Sequence, residues 1–89
     1  MEEPKRWALF RHTNAPDDLL GIHFDLLLEH QKGCMTWKLS DIPVLGGKEV
    51  LAKKAPIHRI EWLEKSDSAV SGGRGWATRL AKGLFLGEL

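Results

Sequence analysis

His23 and Asp25 lie two residues apart in the run from Gly21 to Glu29. The run alternates in the manner of a half-buried β-strand, with Ile22, Phe24, Leu26 and Leu28 on one face and His23, Asp25, Leu27 and Glu29 on the other. An imidazole and a carboxylate at this spacing project from one side of a sheet, roughly 7 Å apart at their roots. That is a rigid way to present two metal ligands. His12, on an earlier alternating run, supplies a third donor. His58, on a later one, is either a fourth ligand or an acid standing behind the metal. Two or three imidazoles with a carboxylate suit Mn²⁺, Fe²⁺ or Zn²⁺. Any one of these histidines alone is as readily a packed residue bonded to a backbone carbonyl. The site reading comes from finding three of them on strands in so short a chain, with the aspartate. His30 falls in an expected turn and reads as surface. Cys34 and Ser40 are poor nucleophile candidates, because no acid–base–nucleophile order accompanies them. Gly72 to Gly75 lacks the lysine and serine of a P-loop and reads as flexible loop.

The elements that must position these groups read as short strands. Lys5 to Thr13 alternates and is a strand. Asn14 to Leu20 is a loop, with a helical turn after Pro16. The central hairpin covers about residues 21–40. A four-residue turn from His30 to Gly33 joins its strands, with Gly33 at φ > 0. That register sets Leu28 against Met35, Leu26 against Trp37 and Phe24 against Leu39. Asp25 then lies beside Lys38, and His23 beside Ser40. A one-residue slip would mix the two faces, so burial fixes the pairing. The apolar face is expected inside and the polar face outside. Lys38 either pairs with the Asp25 carboxylate, as adjacent cross-strand charges do, or neutralises charge on a ligand. Asp41 to Gly47 is a loop and Glu49 to Lys53 a short strand. Pro56 to Glu64 alternates as a strand, with His58, Ile60 and Trp62 on one face. Ser66 to Gly75 is a loop. Trp76 to Lys82 fits a helix or a strand, and Gly83 to Leu89 a last strand. Many short strands with turns between them predict an all-β fold, a small compact β-barrel with room for one short helix.

Eighty-nine residues form a single domain, residues 1–89. Four Trp and three Phe supply much of a modest core. No run of apolar residues is long enough to span a membrane, and the first residues lack a signal-peptide pattern. With Cys34 alone there is no disulfide framework and no cysteine zinc site. The expectation is a cytoplasmic monomer. Net charge is +1. Residues 1–47 carry five basic and seven acidic side chains, and residues 48–89 carry eight and five. The second half is thus compatible with a phosphate-bearing partner without requiring one.

These residues, taken as His12 … His23-Phe24-Asp25 … Leu28-Glu29 … Trp37 … Leu51-Ala52 … His58 … Trp62 … Gly73-Arg74-Gly75 … Gly83, resemble the 3′-phosphoesterase domain of bacterial DNA ligase D. The likeness spans about residues 7–85. It implies a compact β-barrel with a polar groove, acting in DNA repair as a Mn²⁺-dependent hydrolase on nucleic-acid 3′ ends. Such a domain removes a terminal ribonucleotide and then its 3′-phosphate. His12, His23 and Asp25 match the family's metal ligands, and His58 matches the histidine that contacts the reacting phosphate. The pattern also departs from the family. Ten residues separate His12 from His23 where the family keeps five. Leu27 and Val50 stand where the family has arginines, Pro56 where it has an acid, and Trp62 where it has a tyrosine. Arg59, Arg74 and Lys38, or Arg11, are the cations left to hold phosphate. Two alternatives to a phosphoesterase follow. One is a metal- or nucleic-acid-binding barrel without turnover; the other is a small structural domain that binds a protein.

Overall fold

The computed structural model describes residues 3–14, 21–70 and 73–87. The chain is all-β, with strands β1 (Lys5–Thr13), β2 (Ile22–His30), β3 (Gly33–Leu39), β4 (Ala52–Arg59), β5 (Asp67–Ala69) and β6 (Trp76–Phe85). A short 3₁₀ helix, Ile60–Glu64, follows β4. All six strands join one antiparallel sheet in the order β4-β3-β2-β1-β6-β5. The sheet does not close: β4 and β5 are its edges, so the expected barrel is an open, curled sheet. The 3₁₀ helix carries the chain from one edge to the other across the concave face. The helical turn expected after Pro16 lies outside the described residues.

The central hairpin has the register that its alternation dictates. Leu28 opposes Met35, Leu26 opposes Trp37, Phe24 opposes Leu39 and Asp25 opposes Lys38. The turn is tighter than expected, because His30 and Gly33 pair and leave Gln31-Lys32 as the loop. The positive φ falls on Gln31, at 57°. Gly33 is needed for closeness instead: a Cβ there would lie 2.9 Å from Ile57 Cγ2 on β4.

The burial of the two faces is opposite to expectation. Leu27 is 1 % exposed and Asp25 7 %, whereas Phe24, Leu26 and Leu28 are half-buried. The cause is what covers the concave face. Ala8, Phe10, Leu27, Cys34 and Ala77 pack there with Leu63 of the 3₁₀ helix, joined by Ile60, Trp62 and Val70. Phe10 meets Trp62 edge-on at 5.7 Å. Full burial of a Phe or Leu side chain contributes about 2–3 kcal/mol. Arg6 pins the helix to the sheet, reaching Glu29 at 3.2 Å and Glu64 at 3.6 Å.

Three further segments differ from expectation. The strand expected over Pro56 to Glu64 ends at Arg59 and becomes the 3₁₀ helix. The short strand expected from Glu49 begins at Ala52 and is the start of that same β4. Within β4, Cys34 pairs with His58 but Thr36 pairs with Ala55, so Pro56 and Ile57 together face one residue of β3. This β-bulge accommodates a proline that cannot donate to the ladder, on an edge strand where that is tolerated. The segment from Trp76 is one strand through Phe85. β5 interrupts the stretch expected to be loop.

Candidate metal centre and basic groove

Direct pairing of His12 with His23 across β1 and β2 puts the two imidazoles side by side on the concave face. Asp25 follows two residues on, on the same face. His12 Nδ1 lies 3.2 Å from His23 Nε2, His23 Nε2 lies 3.2 Å from Asp25, and His12 Nδ1 lies 3.6 Å from Asp25 Oδ2. Donors about 2.0–2.2 Å from a shared cation sit roughly 3.0–3.5 Å apart, so this triangle is the size of one face of a coordination shell. Among the described residues these three are the His, Cys, Asp or Glu side chains grouped in this way, with ligand atoms within 4.8 Å of one another. The extra length between His12 and His23 does not separate them.

Tautomers follow from the partners. His12 Nε2–H donates to the Arg74 carbonyl oxygen at 2.6 Å. A carbonyl can only accept, so the neutral ring turns the Nδ1 lone pair toward His23 and Asp25. His23 Nε2 holds at most one proton, shared between His12 and the carboxylate. Its loss leaves three lone pairs facing one another, the requirement for a cation.

His58 stands outside this cluster, which removes the fourth-ligand option. It lines the same groove, a cavity of about 1010 Å³ whose lining also includes His12, His23 and Asp25. Its Nδ1–H donates to the Pro56 carbonyl and to Thr36 Oγ1, both at 3.0 Å. The Thr36 hydroxyl in turn donates to the Cys34 carbonyl at 3.2 Å. This leaves Nε2 as the nitrogen through which His58 acts on a ligand. The bulge is what brings it here. Ala55 and His58 are three residues apart and would face opposite ways on a regular strand, yet both line the groove.

Lys38, Arg59 and Arg74 line the groove, as does Lys65, which the sequence did not single out. Lys65 Nζ lies 4.5 Å from the centre of the Trp62 ring. Among the described residues of the lining, Glu61 is the one acid besides Asp25, against these four cations, so they make the groove basic. Lys38 opposes Asp25 on the neighbouring strand, but no ion pair joins them. The expected pairing is therefore absent, and Lys38 lines the cavity with no carboxylate partner among the described residues. Arg11 pairs with Phe24 and Thr78 on the convex face and does not reach the groove. Thr36, also missed, is 1 % exposed. Its signal was available in principle, a hydroxyl on the concave face of β3 between Cys34 and Lys38. Cys34 is fully buried, and burial pushes its thiol up to about 11, which leaves no thiolate for nucleophilic chemistry. No protein-family model, curated protein or solved structure matches the chain.

Proposed function

We propose that this chain is a divalent-metal-dependent phosphoesterase acting on the 3′ ends of nucleic acid, in the manner of the ligase D 3′-phosphoesterase domain that its motifs resemble. The observation that carries the reading is the convergence of His12, His23 and Asp25 on the floor of a groove lined by four cations. The donor set fits Mn²⁺ or a similar divalent ion. Such an ion, held by these three residues, would supply a Lewis acid for a phosphoryl oxygen and a more acidic bound water. The chain's own groups do the rest. Arg59, Arg74, Lys38 and Lys65 neutralise phosphate charge. His58, with its Nδ1 proton committed to Pro56 and Thr36, carries its exchangeable proton on Nε2. As an imidazolium it donates that proton to a phosphoryl oxygen or to the leaving oxygen. Trp62, Val70 and Pro56 form the apolar wall that limits water around the reacting group.

A second reading, a metal- and nucleic-acid-binding domain without turnover, is favoured by Leu27. It stands where the family has an arginine and is buried in the core, so no clamp comes from that position. Two measurements separate the readings. Mn²⁺ added to ¹⁵N-labelled protein is expected to broaden His12 and His23 together, and His23→Ala to abolish the response. A DNA primer ending in 3′-phosphate, incubated with protein and Mn²⁺, is expected to yield a 3′-hydroxyl end. Metal binding with no product, even at protein in excess of primer, leaves the second reading. No metal response removes both.

A further inference from the structure

The concave face carries one cross-strand row that the metal cluster does not use up. Asp25 on β2 opposes Lys38 on β3, and Lys38 opposes Lys53 on β4. Directly opposed residues share a face, and like charges in that position destabilise a sheet. Neither lysine has an ion-pair partner among the described residues. Lys38 is half-buried in the groove lining, and Lys53 is exposed on the edge strand next to it. Neighbouring strands lie about 4.8 Å apart. Lys38 is therefore one strand away from a metal-ligating carboxylate, and Lys53 two strands away in the same direction. Two lysines opposed on one face, beside the groove that holds the candidate metal ligands, offer an anion a site where it relieves their repulsion.

We propose that Lys38 and Lys53 form a subsite for a second phosphate, the internal phosphodiester next to the 3′ end that the groove is read to hold. The inference rests on the reading that a terminal phosphate binds at His12, His23 and Asp25. The row then sets a direction: the strand leaves the metal across β3 and exits over the β4 edge.

The test is binding of a short single-stranded DNA with a 3′-phosphate, by fluorescence anisotropy across a salt series, with EDTA and with Mn²⁺. Each lysine that contacts a phosphate of a single strand contributes about 0.7 to the slope of log affinity against log salt, a factor of about five at 0.1 M salt. Lys38→Met and Lys53→Met are each expected to lower the slope by that amount, and Lys48→Met, in the β3–β4 loop, to leave it unchanged. Wild type is expected to prefer a dinucleotide 3′-phosphate to a mononucleoside 3′-phosphate, and the double variant to lose the preference. Thermal melting is the folding control: removing one member of a repelling pair is expected to hold or raise the midpoint. Slopes unchanged in both variants, with folding intact, would overturn the subsite even if primer is processed. Slopes that fall in EDTA while His23→Ala binds like wild type in Mn²⁺ would keep the subsite and remove the metal reading beneath it.

Discussion

His12 owes its chemical role to a carbonyl, not to its neighbours in sequence. The bond from its Nε2–H to the Arg74 oxygen decides which nitrogen faces His23 and Asp25. The alternation of β1 and β2 already made this trio readable, since pattern fixes which side each residue takes. The triangle's size was not readable, because it depends on a pairing between strands joined by a long loop. Asp25→Asn keeps the shape but removes the charge. It is expected to lower Mn²⁺ affinity at least tenfold while the fold persists, measured by calorimetric titration beside a melting curve. The face that Thr36 takes was legible on β3, but its bond to His58 was not, because that histidine comes from a strand whose bulge no pattern announces. Thr36→Val removes the hydroxyl that accepts from His58 and caps the Cys34 carbonyl. The expected cost is about 1 kcal/mol of stability. The Pro56 carbonyl still accepts from His58 Nδ1–H, so the His58 tautomer is expected to stay fixed in ¹⁵N spectra while stability falls.

At the scale of elements, the β2–β3 register followed from sequence because a slip by one residue would bury the wrong set. β4 did not, because Pro56 breaks the period of two, and the run past Arg59 alternates without being a strand. The β1–β6 contact depends on a glycine that the sequence places only at the start of an expected last strand. Gly83 faces Trp7, and a Cβ there would lie 2.6 Å from the indole Nε1. Gly83→Ala is expected to push the indole aside and cost about 1–3 kcal/mol, read as a lower urea midpoint. Arg6 adds an electrostatic tie between β1, β2 and the 3₁₀ helix to their apolar packing. The Arg6 side chain, and then its backbone N–H, hold the Glu29 carboxyl below the usual carboxylate range. A carboxyl depressed in the fold adds stability above its unfolded value, about 4.3, and loses it as pH falls through the folded value. Arg6 is 39 % exposed, so screening keeps the contribution under about 1 kcal/mol. Glu29→Gln is expected to lower the midpoint slightly at pH 7 and to narrow its gap from wild type near pH 3.

The whole molecule is organised by one inversion: the face that carries the chemistry also carries the core. Sequence alternation separates two faces but cannot say which one a later segment will cover. Here the 3₁₀ helix lays Trp62 and Leu63 over the face bearing His23, Asp25 and Leu27. The consequence is sharpest at position 27, where the resemblance would lead one to restore an arginine. Leu27 is 1 % exposed and packs with Ala8, Phe10 and Cys34. Leu27 also lines the groove, but an arginine there must carry its stem through this packing, and it buries its charge among apolar atoms or displaces the helix unless the head threads into the cavity. Uncompensated burial of a charge in such a place costs at least about 3–5 kcal/mol, a large part of the stability of a domain this small. Leu27→Arg is therefore expected to unfold the protein or loosen the helix, and not to restore a phosphate clamp. Cys34 gives the readout. Its buried thiol, pushed up to about 11, should resist a thiol reagent at pH 8 in the wild type, apart from global opening. In Leu27→Arg it should react within the mixing time. If the thiol stays protected and primer processing rises, then the guanidinium reaches the groove that Leu27 lines, and the packing around position 27 yields without loss of the core.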